Sequence, residues 1–239
     1  MINTTKLPRV APAILISRFI RSDLDSLLRK AARGVGIGVP TNYSVADLRI
    51  PDSALAVQAT RLVAELSSPV LFNHTIRTYL FGEAMGRRGR LKYDRELFYL
   101  ASVLHDLGLT PTHNGSDSFE LEGARAARSF LRERGLPDEK ADLVHEAIAL
   151  HSSVGIASKK VPEIALVHFG AGMDVFGYRA MDLAPKTIEH IVEAYPRLGF
   201  KEALVNILED EVRRKPQSHI AGLVGLGFCK KIKCGPFCE

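Results

Sequence analysis

Residues Leu97-Phe98-Tyr99-Leu100-Ala101-Ser102-Val103-Leu104-His105-Asp106-Leu107-Gly108 read as a helix that is apolar almost all round, yet it ends in an adjacent imidazole and carboxylate. A helix with no polar face has to be covered on every side. A carboxylate carried into that interior without a partner is costly, and a divalent cation would offset it. Two further anomalies have the same character. His74 lies within Val70-Leu71-Phe72-Asn73-His74-Thr75-Ile76, and Asp174 within Ala171-Gly172-Met173-Asp174-Val175-Phe176. Any one of these residues alone is commonly a satisfied core histidine or a helix cap. Together, two neutral imidazoles, two carboxylates and one divalent cation sum to zero formal charge, which suits a low-dielectric site.

Helix signals recur along the rest of the chain and strand signals are weak, so the expected fold class is an all-α bundle. Asp52 and Ser53 can cap Ala54 to Leu66, and Pro69 opens a helix ending near Gly86. Asp94 caps Arg95 to Leu107, closed by Gly108. Further helices are expected over Phe119 to Arg134, from Pro137, from Pro162 towards Asp174, over Pro185 to Tyr195, and over Leu198 to Arg214. The 239 residues divide into a basic, partly helical arm (1–48), a main domain (49–215) and a Gly-rich tail (216–239) expected to be irregular. Ile14, Phe19, Leu24, Leu27 and Leu28 form an amphipathic stripe in the arm, broken by Gly34 to Pro40.

All three cysteines, Cys229, Cys234 and Cys238, fall in the tail. The body of the fold therefore contains no disulfide, which fits a reducing compartment. No apolar stretch approaches the roughly 20 residues of a membrane span. The apolar run near Arg9 is short, interrupted by Pro12 and lacks a cleavage site. The expectation is a cytoplasmic protein with no membrane partner. A net charge of +5 with scattered basic residues argues against a nucleic-acid partner; the basic run Arg87 to Lys92 reads as a solvated helix end. The implied partner is a small-molecule substrate, and a homo-oligomer is left open.

The order His74, His105-Asp106, Asp174 resembles the signature of the HD superfamily. The surrounding segments Ile50-Pro51-Asp52-Ser53, Phe72-Asn73-His74-Thr75-Ile76-Arg77, Leu104-His105-Asp106-Leu107-Gly108, Phe119-Glu120-Leu121-Glu122-Gly123-Ala124, Ala147-Ile148-Ala149-Leu150-His151 and Asp174-Val175-Phe176-Gly177 resemble its cyanamide-hydratase-like branch, from about Ile50 to about Arg214. The resemblance implies a helical bundle holding one metal ion on His74, His105, Asp106 and Asp174. It also implies addition of water to a small nitrile-like carbon. Zinc is the first expectation for the metal, with iron or manganese as alternatives.

Around that centre, Asp106 doubles as a proton acceptor and His151, at the end of an apolar helix face, is expected to move a proton or bind substrate. Glu120 joins them as a catalytic candidate, although a glutamate in a first helical turn also suits the helix dipole. Asn73, Arg77 and Thr110 are candidates for substrate binding. The alternative is an HD-type phosphohydrolase acting on a nucleotide or phosphomonoester, with Arg77 and Arg125 supplying charge; the absence of a lysine just after the doublet counts against it. A non-catalytic ligand-binding module ranks third, since all four ligands are present. His113, His145 and His168 are unplaced by sequence; if two or three joined the site, it would hold two metals. The cysteines with His219 could form a zinc knuckle, but their spacing is not that of a standard pair.

Overall fold

The computed structural model describes residues 41–239 and, ahead of them, residues 13, 14, 17, 18, 20, 21, 24, 28 and 31. Phe19 and Leu27 of the expected stripe, and the break from Gly34 to Pro40, lie outside the described residues. Its other members, Ile14, Leu24 and Leu28, are exposed. Among the described residues there are ten α-helices and no strand, so the all-α expectation holds.

The helix starts follow the capping chemistry. The Ser53 hydroxyl accepts from the Ala56 N–H at the head of α1 (Ala54–Leu66). Ser68 does the same for α2 (Pro69–Arg88), whose first residue is proline. The Asp94 carboxylate accepts from two N–H groups at the head of α3 (Arg95–Leu104). Each cap satisfies a donor the helix leaves orphaned.

Helix α3 stops three residues short of the expected end. It passes into a tight 3-10 turn, Leu107–Leu109. At Gly108 a Cβ would lie 2.0 Å from the Phe119 carbonyl oxygen, so the turn presses against the head of α4 (Phe119–Glu133). This close approach sets His105 and Asp106 at a bend instead of along a helix. After α4 come α5 (Asp138–Leu150), α6 (Pro162–Phe176), α7 (Pro185–Ala194) and α8 (Phe200–Arg214).

The long α2 packs lengthwise on α6. Glycines permit the approach: a Cβ at Gly170 would stand 2.0 Å from the Thr78 carbonyl oxygen. Backbone cannot yield there as a side-chain tip can. Gly170→Ala is therefore expected to lower stability by about 2–3 kcal/mol, the scale of an overpacked core, measured by urea unfolding. A loss below about 0.5 kcal/mol would mean the two helices separate freely.

The tail is not irregular. It forms two short helices, α9 (His219–Gly225) and α10 (Phe228–Lys233), joined at Gly227 with φ +88°. Ile220, Leu223 and Ile232 bury themselves in an apolar cluster with Phe200, Leu204, Val205 and Leu208 of α8. That cluster continues onto Leu71, Leu109, Phe119 and Val175 of the main bundle. No helix among the described residues is long and apolar enough to cross a membrane.

Candidate metal centre

Three elements bring the unusual polar residues together. Helix α2 carries His74, the bend after α3 carries His105 and Asp106, and the end of α5 carries His151. His74, His105 and Asp106 are all buried and each can offer a ligand atom to one point in space. One Asp106 oxygen lies 3.5 Å from His74 Nε2 and 3.3 Å from His105 Nε2; the other lies 3.9 Å from His151 Nε2. The rings of His74 and His105 stand edge to face at 5.1 Å, and those of His105 and His151 at 4.8 Å.

The hydrogen bonds behind these rings determine what they present. The Nδ1 atoms of His105, His151 and His168 lie 2.7 Å from the carbonyl oxygens of Ser102, Ile148 and His151. A carbonyl only accepts, so each Nδ1 carries the proton and donates it. His74 Nδ1 likewise donates to Asp174 Oδ2 at 2.7 Å. In the neutral rings, all four Nε2 atoms are then left as bare lone pairs, and all four rings line one cavity. Burial holds His74 and His168 below the usual histidine range. Burial, then the nearby His105, pushes His151 down to about 3. His105 is raised by Asp106 in spite of its burial, and Asp106 is held low mainly by His105. Imidazole lone pairs around one carboxylate are a donor set suited to a first-row transition metal or zinc, not to magnesium or calcium. These residues therefore fit a divalent cation held by His74, His105 and Asp106.

Asp174, the fourth expected ligand, has both its oxygens engaged on the far side of His74. Oδ1 accepts from Arg77 Nε at 2.8 Å and from Arg197 Nη1 at 2.7 Å. Oδ2 accepts from Arg77 Nη2 at 2.8 Å and from His74 Nδ1. The Arg77 guanidinium, the His74 hydrogen bond and their charges hold its carboxyl well below the usual range despite burial. Asp174 orients His74 and fixes its tautomer, the usual task of a carboxylate behind a ligating imidazole. Phe200 completes the support, stacking on His74 at 4.6 Å with both guanidinium groups over its ring.

The expected substrate-binding residues also have other work. Arg77 is fully buried, with its remaining bonds on the Tyr195 and Pro196 carbonyls. Asn73 donates to the Pro196 carbonyl. The Thr110 hydroxyl donates to the Leu107 carbonyl at 2.6 Å and touches His113. None of the three lines the cavity. Glu120 stands behind Ser152, which does line it and donates to Glu120 Oε1 at 2.8 Å.

Sequence reading did not place His168 or Arg197. For His168 a signal existed: His168, Ala171, Gly172 and Val175 all line the cavity and recur at helical spacing, which puts Asp174 on another face of α6. Arg197 lies between helices and carried no signal. No metal-competent cluster forms around the tail cysteines among the described residues.

A model of the HD domain family matches residues 71–196. Two cyanamide hydratases of Saccharomyces cerevisiae, DDI2 and DDI3, are each 28% identical over 178 residues, covering 72% of this chain and 78% of theirs. The chain belongs to the HD domain family, and with it to the metal-dependent hydratases and hydrolases built on this fold. Within that family it is of the cyanamide-hydratase-like branch.

Proposed function

We propose that this protein adds water across the carbon–nitrogen triple bond of a small nitrile-like substrate, cyanamide being the first candidate, with zinc held by His74, His105 and Asp106. The observation that supports this reading best is the cavity. Its volume is about 70 Å3, and apart from the four histidines, Asp106 and Ser152 its lining is apolar. That is room for several water-sized groups, since a single water needs only about one probe sphere, roughly 10–15 Å3. Cyanamide has three heavy atoms, and with the attacking water it fits. A nucleotide does not.

The walls argue the same way. Among the described residues no lysine or arginine lines the cavity, whereas recognition of a phosphate group usually recruits such cations. Arg77 is occupied by Asp174. Arg125 lies at the surface against Asp117 and Glu122. The leucines and phenylalanines that close the cavity, Leu109, Phe119, Leu204, Leu208, Leu223 and Phe228, suit a small uncharged substrate and exclude bulk water.

A divalent cation at this site supplies an activated water and a Lewis acid for the substrate nitrogen. The protein's part is positioning and proton transfer. His151 has its Nδ1–H tied to the Ile148 carbonyl, so Nε2 faces the cavity as a base. It takes one proton from the attacking water and delivers it to the substrate nitrogen. Asp106, 3.9 Å from His151 Nε2, lowers the cost of the imidazolium while it carries the proton.

His151→Ala is expected to keep its metal and lose turnover by about 10²–10⁴-fold, the usual contribution of general acid–base catalysis. Metal lost in parallel would make His151 a ligand instead. The reading as a whole is tested by metal analysis of the purified protein with an assay of urea release from cyanamide. About one zinc per chain and urea production are expected. Turnover of phosphate esters without urea release would replace this reading with a phosphohydrolase.

A further inference from the structure

Behind the cavity lies a group of buried polar atoms that metal binding does not use. Glu120 is fully buried at the head of α4, and only its Oε1 is satisfied, by the Ser152 hydroxyl. Its Oε2 has no hydrogen-bond partner among the described residues, nor do the Ser118 and Ser218 hydroxyls or His219 Nε2, all of them buried atoms. They come from the head of α4 and the head of α9. Of the charges around Glu120, that of His219 acts on it most strongly, and Ser118 is within hydrogen-bonding reach. A glutamate needed only for the helix dipole would sit in solvent. Orphaned polar atoms grouped in one interior region are the environment in which ordered water is held.

We propose that Ser152, Glu120 and His219 form a proton relay leading from the cavity wall into the interior. The relay rests on the hydration reading above. Adding water to a nitrile moves both protons of the water from oxygen to nitrogen. His151 accounts for one. For the other, Ser152 Oγ accepts the proton from the reacting oxygen while its own proton passes to Glu120 Oε1. The carboxyl is then neutral. Reversal of the same two transfers delivers the proton to the substrate nitrogen, so no proton is gained or lost and nothing is oxidised. His219, joined through water to Oε2, stabilises the ionised carboxylate to which the cycle returns. Burial raises the Glu120 carboxyl above its ordinary value, with His219, Ser152 and Ser118 pulling the other way. This leaves a group that accepts a proton more readily than an exposed glutamate.

The other charged groups on neighbouring elements are committed elsewhere. Lys215 pairs with Glu211 on α8 at 2.9 Å and donates to Asn114. Glu122 accepts from the Asp117 N–H. Ser152 touches the cavity and is a catalytic residue in this scheme; Glu120 and His219 act through it and position the proton.

The test uses the zinc-loaded full chain with Ser152→Ala, Ser152→Thr, Glu120→Gln and His219→Asn. On whichever substrate the wild type turns over, kcat is expected to fall at least about tenfold in Ser152→Ala and Glu120→Gln, with KM and bound metal unchanged. Ser152→Thr, which keeps a hydroxyl, is expected to restore most of the rate, and His219→Asn to shift the acid limb of the pH profile. Ser152→Ala within twofold of wild type would overturn the relay. A second measurement needs no substrate: the titration midpoint of the Glu120 carboxyl, followed by NMR. It is expected to rise in His219→Asn, as the histidine that favours the ionised carboxylate is removed. An unchanged midpoint would overturn the relay even if cyanamide proved not to be the substrate; a shifted midpoint without urea release would leave the relay standing and the hydration reading overturned.

Discussion

Asp106→Ala is expected to purify folded, with less than about a tenth of the wild-type metal content and turnover reduced at least about 10³-fold, since the activated water is lost with the cation. Asp106 is the one carboxylate among the described residues that lines the cavity, and three imidazole Nε2 atoms lie within 3.9 Å of its oxygens. Without it the remaining ligands are neutral rings, and the buried charge of a divalent cation is no longer offset. The fold itself should tolerate the change. In the metal-free protein Asp106 and His105 each favour the charged form of the other in spite of burial. Removing the carboxylate removes that support together with the cost of burying its charge, two opposed effects of similar size in a protein interior. The metal-free variant should therefore unfold within about 1 kcal/mol of the metal-free wild type in urea. Metal analysis and denaturation read the two effects separately. A variant that keeps a full complement of metal would remove Asp106 from the centre.

The pairing of His74 with His105 and Asp106 was legible because each residue contradicts its neighbours: a polar group inside an apolar run reports a local cost without knowledge of the fold. Helix starts were legible for a similar reason, since Ser53, Asp94 and Pro69 act on backbone groups a few residues away. Asp174 was read for its place in the order of residues rather than for the face of α6 it occupies. Order along the chain does not tell whether a carboxylate meets the front or the back of an imidazole. The two arginines that close on its back come from α2 and from the turn before α8. Of these Arg77 was visible but offered as a substrate contact, and Arg197 was not visible at all. The tail failed for a compositional reason. Its glycines, lysines and cysteines outweighed the spacing of Ile220, Leu223 and Ile232, which bury together and of which the first two line the cavity. Contacts such as Ser152 with Glu120, 32 positions apart, depend on the three-dimensional meeting of α4 with the end of α5.

Asp174→Asn separates the two roles a buried aspartate can have beside a metal. If Asp174 orients His74, the variant is expected to bind close to the wild-type amount of zinc and to lose about 3–5 kcal/mol of unfolding free energy, the cost of breaking a buried ion pair. Arg77 and Arg197 are both fully buried, and both would lose the carboxylate that receives them. The amide nitrogen of asparagine would also point a donor at donors. The pH dependence carries the same signature. Since the folded pKa of Asp174 is depressed, its contribution is present in full above the unfolded value of about 3.9. It is lost as pH falls through and below that value, when the carboxylate must be protonated. The wild type should therefore lose stability steeply below about pH 4–5, and the variant, already without the pair, should lose less over the same interval. Turnover should fall through His74 alone, by about 10–100-fold, the usual loss when the partner of a ligating imidazole is removed. If zinc is lost while the unfolding free energy holds, Asp174 is a ligand after all, and the two arginines find other partners when the cation binds.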